Sequence, residues 1–240
     1  SRIAAKIAQL FALLRKVETS TQQYVKLQTL LKSKVLDLAM RGKLVKQDPN
    51  DEPASVLLRK IKAEKQELIK EKKIKKTKPL PPITDDEKPF EIPNNWEWVR
   101  LGDILTVHSG KNLPKKNLVK NGKYIVYGAN GIIGNFNKSN TSENTLLIGR
   151  VGFYAGVIHI TSKEAWVTDN SLVVSESTRL SKKWLYYALS FLNLSKLSSQ
   201  TAQPVISGNK IYRTLLALPP LVEQNKIVIE IDNLLSIISC

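Results

Sequence analysis

Residues 1–45 read SRIAAKIAQLFALLRKVETSTQQYVKLQTLLKSKVLDLAMRGKLV. Apolar side chains recur here at alternating steps of four and three residues, with polar breaks at Thr21 and Gln28 and no Gly or Pro before Gly42. The apolar seam positions are Ile3, Ile7, Leu10, Leu14, Val17, Tyr24, Leu31, Val35 and Leu38. This spacing is typical of a coiled coil, so it predicts one helix about 60 Å long that packs on another helix. An amphipathic helix on a globular core is the alternative, but five heptads exceed the usual length of such a helix.

The chain carries a strong positive charge. It has 37 Lys and Arg against 21 Asp and Glu, which gives a formal net charge of +16. A basic surface attracts nucleic acid or an acidic membrane through long-range attraction and counterion release. Because the sequence has no run of about 18 apolar residues, it predicts no membrane span, and nucleic acid is the favoured partner.

The single cysteine, Cys240, cannot form an internal disulfide. We therefore expect a reducing compartment and a cytoplasmic location. Together with His108 and His159 it does not supply the clustered ligands that a zinc site needs. Since the chain starts at Ser1 rather than Met and stops within a helical pattern, we also expect it to be a processed or excised piece.

A second helix is expected at about residues 53–76, after the break at Gly42 and with Asp51 as its N-cap. Residues 59–78 contain ten basic and three acidic side chains, a local net charge of +7. Such a helix either contacts an acidic partner or presents a solvated face with Glu–Lys pairs. Three prolines and the acidic residues 85–87 then indicate a linker.

The character of the chain changes at Phe90. Trp96 and Trp98 alternate with polar residues, and short stretches separated by Gly and Asn turns follow. This pattern predicts strands near residues 98–101, 124–127, 145–151, 156–160, 172–174 and 212–218, with a helix at 182–192. After Pro219-Pro220 a last helix repeats the spacing of the first.

The predicted fold class is therefore α+β, with a globular mixed α/β domain attached to a long coiled-coil helix. The predicted divisions are a long helix at 1–47, a basic connecting helix and linker at 48–89, the globular domain at 90–218 and the start of a second long helix at 219–240.

The motifs of DNA-modifying enzymes are missing from the sequence. Leu precedes both Pro-Pro pairs, so neither forms the Asn/Asp-Pro-Pro-aromatic pocket of an amino-methyltransferase. No Gly-x-Gly-x-x-Gly follows a strand and no P-loop is present, and the carboxylates are scattered rather than clustered for Mg²⁺. We predict a non-catalytic chain with no metal and no cofactor of its own.

The polar loops of the globular domain carry the candidate DNA contacts. These are Lys111, Lys115, Lys116, Asn130, Asn135, Lys138, Arg150, Gln200, Gln203 and Lys210. Asn and Gln pair with adenine edges, and Lys and Arg contact guanine or phosphate. Hairpin turns are the alternative role for the Asn residues, and a solvated loop for the lysines. Arg150 either points out towards DNA, which we favour, or forms a buried pair.

Two other classes remain open. A coiled-coil interaction protein would use the basic helix to bind an acidic partner and the globule as a scaffold. An RNA-binding module would display aromatic rings on a sheet, whereas most aromatic residues here are expected in the core.

Five short motifs, in this order along the chain, carry a family resemblance. They are Gly42-Lys43-Leu44-Val45, Pro93-x-x-Trp96-x-x-Val99-x-Leu101-Gly102-Asp103-Ile104, Tyr127-Gly128-Ala129-Asn130-Gly131, Leu147-Ile148-Gly149-Arg150-Val151-Gly152 and Pro219-Pro220-Leu221-x-Glu223-Gln224. Asp51-Glu52-Pro53-Ala54-Ser55 and Ala202-Gln203-Pro204-Val205-Ile206-Ser207 extend the pattern. With these motifs the chain resembles the specificity subunits of type I restriction-modification systems.

The resemblance implies a role and partners. Members of that family carry two target recognition domains separated by antiparallel spacer helices, and each domain reads half of a split double-stranded DNA target. They dock methyltransferase subunits, which bind S-adenosylmethionine, and motor-nuclease subunits complete the complex. This chain holds one recognition domain, so the resemblance implies either the second half of a subunit or a half-length subunit that forms a homodimer.

Overall fold

A computed structural model of the chain describes residues 2–75, 77–198 and 204–239. Its helices are α1 (Arg2–Met40), α2 (Ala54–Lys70), α3 (Leu101–Ile104), α4 (Lys182–Phe191), α5 (Gly208–Arg213) and α6 (Leu221–Ser239). Its strands are β1 (Glu97–Arg100), β2 (Leu105–Ser109), β3 (Tyr124–Gly128), β4 (Gly131–Phe136), β5 (Leu146–Gly149), β6 (Ile158–Ile160), β7 (Ala165–Val167), β8 (Ser171–Glu176) and β9 (Leu215–Leu218). The α+β class is confirmed, and α1 is the single long helix that the heptad spacing predicts.

Helix α1 runs antiparallel to α6 within the same chain. Gln28, in the second half of α1, donates from Nε2 to the carbonyl of Ile238 near the end of α6, at 2.6 Å. Gln47, which follows α1, instead contacts Glu223 in the first turn of α6, at 2.6 Å. The two helices therefore meet along the second half of α1 only.

The contact between α1 and α6 covers part of the predicted seam. The covered stripe of α1 follows Gln28, Lys32, Val35 and Ala39, whereas Leu31 is 45% exposed. Val35 is thus buried and Leu38 is half-buried, while Ile3, Ile7, Leu10, Leu14, Val17 and Tyr24 stay exposed. The apolar face of the first half of α1 is consequently open to solvent.

Helix α2 is shorter than the predicted residues 53–76. It ends at Lys70, and Lys72 adopts a left-handed φ of 58°. The backbone N–H of Lys72 donates to the carbonyl of Ile69 at 3.0 Å, and that of Lys73 to the carbonyl of Leu68 at 2.9 Å. These two bonds form a Schellman motif, which provides donors for the last carbonyls of the helix. The motif ends the helix, so the described basic residues that directly follow Lys72 are not helical.

The predicted N-cap of α2 was also wrong. Pro53 occupies the N-cap position, and no side chain there forms a capping bond. The carboxylate of Asp51 instead accepts from Lys226 of α6 at 3.1 Å. Because this ion pair links two elements distant in sequence, local spacing could not reveal it.

The described strands of the globular part form three sheets. Their strand orders are β1-β9, β2-β8-β5-β6 and β4-β3-β7. Alternate residues of β5 point to opposite faces, so Leu146 and Ile148 join the large core shared with α4 and α6. Leu147 joins a second, smaller core with Val173, beneath β3 and β7. Strands β2, β4 and β7 were not predicted, because each is specified more by its non-local partner strand than by its own residues.

A buried arginine holds the proline-rich segment against the domain. Arg100 is 4% exposed and donates to Glu87 at 2.8 and 3.0 Å. It also donates to the carbonyls of Pro81 at 2.8 Å, Pro82 at 3.1 Å and Arg213 at 2.8 Å. The acidic segment expected to be a linker is therefore packed on β1 through Glu87.

Candidate nucleic-acid interface

Several loops gather at one end of the sheets. Strand β2 ends at Ser109 opposite Leu172, and β5 ends at Gly149 opposite Ser171, so the turns before β8 and after β2 and β5 lie together. Strands β3 and β7 run parallel and end at this same place. We call this surface the recognition edge, which comprises residues 109–111, 129–130, 150–157 and 168–170.

Arg150 lies at the centre of the recognition edge. Its backbone N–H donates to the carbonyl of Asn170 at 2.8 Å, and its carbonyl accepts from Ile206 at 2.9 Å. The guanidinium donates from Nη1 to Oγ of Ser109 at 3.1 Å. Within the described ranges no carboxylate forms an ion pair with it. Among the described residues, the side chain of this half-buried cation has a hydroxyl as its partner, which leaves it well placed to receive an anion.

Asn130 lies at the tip of the β3–β4 hairpin, and its side chain is exposed. Gly131 supplies the positive φ of this turn, at 92°. The carbonyl of Ala129 lies 3.3 Å from Nε2 of His159, and a Cβ added at Gly149 would come within 2.7 Å of the same carbonyl. The hairpin tip is thus fixed against the loop that carries Arg150.

Lys111 belongs to the recognition edge as well. Its backbone N–H donates to the carbonyl of Val167 at 3.0 Å, and its own carbonyl accepts from Nε1 of Trp166 at 3.2 Å. Because the backbone is held on both sides, the exposed side chain of Lys111 projects from a fixed position.

The remaining candidates lie elsewhere. Lys115 and Lys116 are exposed on a short turn beside β4, where Val119 donates to the carbonyl of Asn135 at 2.9 Å. Asn135 is five residues from Asn130 at the hairpin tip, or about 16 Å along the strand. Lys138 lies beyond the far end of β4.

The last three candidates are Gln200, Gln203 and Lys210. Lys210 donates to the carbonyl of Leu197 at 2.8 Å. Gln200 and Gln203 lie outside the described residues. The recognition edge therefore brings together Lys111, Asn130 and Arg150, and the other described candidates surround it at a distance.

Sequence reasoning missed Phe153. Its side chain is 91% exposed, although most aromatic residues were expected in the core. The flanking Gly152 and Gly156, both with positive φ, are the local signal of a tight turn that could have indicated an outward ring.

A buried joint connects the domain to α6. The carboxylate of Glu223 is buried and accepts from Nε1 of Trp96 at 2.9 Å and from Nε2 of Gln47 at 2.6 Å. Burial raises the pKa of Glu223. The next residue, Gln224, accepts from the N–H of Ser181 at 3.0 Å and donates to the carbonyl of Pro219 at 3.0 Å. These bonds set the direction of α6 relative to the domain.

Neither a metal site nor a membrane span is found in the part of the chain that the structure describes. Its His, Cys, Asp and Glu side chains nowhere gather in threes as metal ligands. None of its helices combines the length and the apolar character needed to cross a bilayer.

Residues 93–239 match the family model described as type I restriction modification DNA specificity domain. The chain is 36% identical over 235 residues to the type I restriction enzyme EcoAI specificity subunit of Escherichia coli, which covers 85% of this chain and 39% of that protein. It is 54% identical over 101 residues to the EcoEI specificity subunit of the same organism, covering 42% of this chain and 16% of that one.

Among solved structures, the HsdS subunit from Thermoanaerobacter tengcongensis shares the fold with a TM-score of 0.55 at 17% identity, over 97% of this chain and 50% of that one. The chain thus spans half or less of the length of these relatives. Because the family model covers residues 93–239, well over half of the sequence, the chain belongs to the family of type I restriction modification DNA specificity domains.

Proposed function

We propose that this chain reads one half of a split double-stranded DNA target and has no catalytic role of its own. Residues 90–218 form the reading domain, which contacts about three to five base pairs, the span of a single DNA-binding module. The long helices at 1–47 and 219–240 set the spacing between half-targets and present the surface for methyltransferase subunits. The names of the relatives, specificity subunits of type I restriction enzymes, support this role.

The recognition edge is the observation that carries the proposal. It places Lys111, Asn130 and Arg150 side by side from three separate loops, each held by backbone contacts. Cations next to an amide fit a DNA groove, because phosphates give affinity while base edges give specificity. Lys115 and Lys116 on the flank extend the positive surface along the duplex.

The first prediction separates phosphate contacts from base contacts. Replacing both Lys115 and Lys116 with alanine is expected to weaken binding to every duplex about equally, by about threefold to tenfold, and to reduce its salt dependence. Asn130→Ala is expected to bind its preferred sequences with about tenfold lower affinity and to relax the base preference at one position of the target. Gln203→Ala is expected to act in the same way as Asn130→Ala.

The measurement is selection from a random-sequence duplex pool, followed by titration of the enriched duplex at two salt concentrations. The same pool as single-stranded RNA is the control for an RNA-binding module. RNA preference, or no enrichment of any motif by the unaltered chain, would contradict the proposal. If neither the lysine pair nor Asn130 changed binding, the assignment of these loops would be wrong.

The exposed first half of α1 supports a second part of the proposal. Ile7, Leu10 and Leu14 continue the line of the α1–α6 contact beyond the end of α6. We propose that a second copy of the chain covers this face by pairing α1 with α1 in antiparallel orientation. The two reading domains would then lie at opposite ends of one rod and read a symmetric interrupted target.

The second prediction tests this pairing by mass. The unaltered chain is expected to have twice its 27.0 kDa mass in light scattering, and Leu10→Lys combined with Leu14→Lys is expected to return it to a single copy. Ala5→Lys with Ala12→Lys is the matched control, because it adds the same charge to the opposite face of the helix. A single-copy unaltered chain, or equal behaviour of the two variants, would contradict antiparallel pairing of α1.

A further inference from the structure

Phe153 is the most exposed of the large apolar side chains in the described ranges, at 91%. It stands on the short turn Gly152–Tyr154 inside the recognition edge. A fully solvated phenyl ring forgoes the stabilisation that burial would give it. Tyr154 and Val157 in the same loop are also exposed, at 41% and 39%, but Phe153 far exceeds both, so its exposure calls for an explanation of its own.

The backbone fixes this ring in its outward position. The N–H of Gly152 donates to the carbonyl of Pro204 at 2.9 Å, and that of Gly156 donates to the carbonyl of Gly149 at 2.8 Å. Gly152 has a φ of 73°, a conformation that favours glycine, with open space where a Cβ would lie. The ring of Tyr154 meets that of Phe153 edge to face, with the centroids 5.2 Å apart. The turn is thus a braced support for one apolar ring.

The neighbours of the turn indicate what the ring would meet. Arg150, three residues earlier, offers a cation for a phosphate, and the Ala129–Asn130 tip packs over Gly149 at the base of the same loop. A duplex that contacts Arg150 and Asn130 at once would bring its base stack against the protruding ring. Phe is one of the residues that proteins insert between base steps as an apolar wedge.

We infer that Phe153 is a wedge that enters the base stack of bound DNA and unstacks one base step. This inference rests on the proposed function and adds to it an aromatic contact that positions the duplex on the recognition edge. Insertion of a ring at one step bends the duplex there, and it favours flexible pyrimidine–purine steps at that position.

The test uses the full chain and the duplex that it enriches from the random pool. Copies of that duplex carry 2-aminopurine, whose fluorescence rises when it is unstacked, at successive positions across and beside the enriched motif. The unaltered chain is expected to raise the fluorescence at one step. Phe153→Ala is expected to abolish that rise and weaken binding about tenfold, whereas Phe153→Leu, which keeps an apolar wedge, retains most of both.

Ile229→Ala is the matched control, since Ile229 is a large apolar residue that is 61% exposed on α6, outside the recognition edge. Equal affinity and unchanged fluorescence for Phe153→Ala would overturn the wedge and leave the proposed function standing. This result is also expected if the ring is covered by a protein subunit instead. Weaker binding without any fluorescence rise in the unaltered complex would overturn insertion too. If the unaltered chain enriched no duplex, the proposed function would fail and the wedge with it.

Discussion

Arg100→Ala is expected to lower the free energy of unfolding by about 3 kcal/mol. Arg100 is buried, and its guanidinium satisfies the carbonyls of Pro81, Pro82 and Arg213 while it pairs with Glu87. Alanine would leave these acceptors without their charged donor and open a cavity beneath the proline-rich segment. The size of the loss follows from the number of acceptors that one side chain serves.

Chemical denaturation measures this loss, and limited digestion with a glutamate-specific protease shows where it acts. The variant is expected to be cut faster after Glu87, because the segment that carries Glu87 would detach from β1. Arg179→Ala is the matched control, since Arg179 is exposed and lies 3.5 Å from Glu64, a contact worth about 0.5 kcal/mol or less. Equal stability of the two variants would show that Arg100 does not hold the segment.

Glu223→Ala is expected to lower the free energy of unfolding by about 2 kcal/mol. The substitution removes the acceptor of both the indole N–H of Trp96 and the amide of Gln47, in a place that water does not reach. Relief of the buried charge offsets part of this loss. Because these bonds connect α6 and the segment after α1 to the domain, the variant is also expected to loosen the joint between rod and domain.

The contribution of Glu223 to the stability of the protein is expected to depend on pH. Burial, with a smaller contribution from Asp51, raises the pKa of Glu223 above its ordinary value of 4.5, against the opposing hydrogen bonds and Lys226. A carboxyl group whose pKa is higher in the folded than in the unfolded state stabilises the protein at pH values below the unfolded-state pKa. This stabilisation is lost as the pH rises through the folded-state pKa. Glu223→Gln stays neutral and keeps an oxygen acceptor for Trp96. Its stability relative to the unaltered chain is therefore expected to increase from about pH 4 towards neutrality.

Thermal unfolding between pH 4 and 8 checks this expectation for the unaltered chain, Glu223→Gln and Glu223→Ala together. Glu230→Gln, a partly exposed carboxylate further along α6, is the control for a general change of charge on that helix. A difference between Glu223→Gln and the unaltered chain that stayed constant with pH would contradict a raised pKa at the joint.

These two buried groups matter for the proposed function because a spacing rod is useful only if its ends are rigid. Glu223 fixes α6 on the domain, and Arg100 fixes the segment that leads from α2 into it. A loosened joint would leave each reading domain able to bind its half-target. The distance between the two reading domains would, however, become variable.

The sequence by itself determined the local parts of this protein. The unbroken α1 follows from apolar residues at helical spacing without Gly or Pro, and most strands of the domain follow from short apolar stretches between turns. The ordered short motifs carried the resemblance to the family that the match over residues 93–239 then confirmed, and the basic charge favoured nucleic acid as the partner. Each of these properties can be read from a short stretch, because the interactions that produce it lie within that stretch.

Only the tertiary structure decided which parts meet. Gln28 contacts Ile238 across 210 residues, and this bond, with the register of α1 against α6, determines which half of α1 is covered. The gathering of Ser109, Asn130 and Arg150 at one edge depends on strand pairings between distant segments, including strands too short or too rich in Gly to be recognised alone. The exposure of Phe153 likewise depends on its turn being braced by Pro204. Non-local contacts leave no periodic trace in the sequence, since each depends on what the rest of the chain brings to that place.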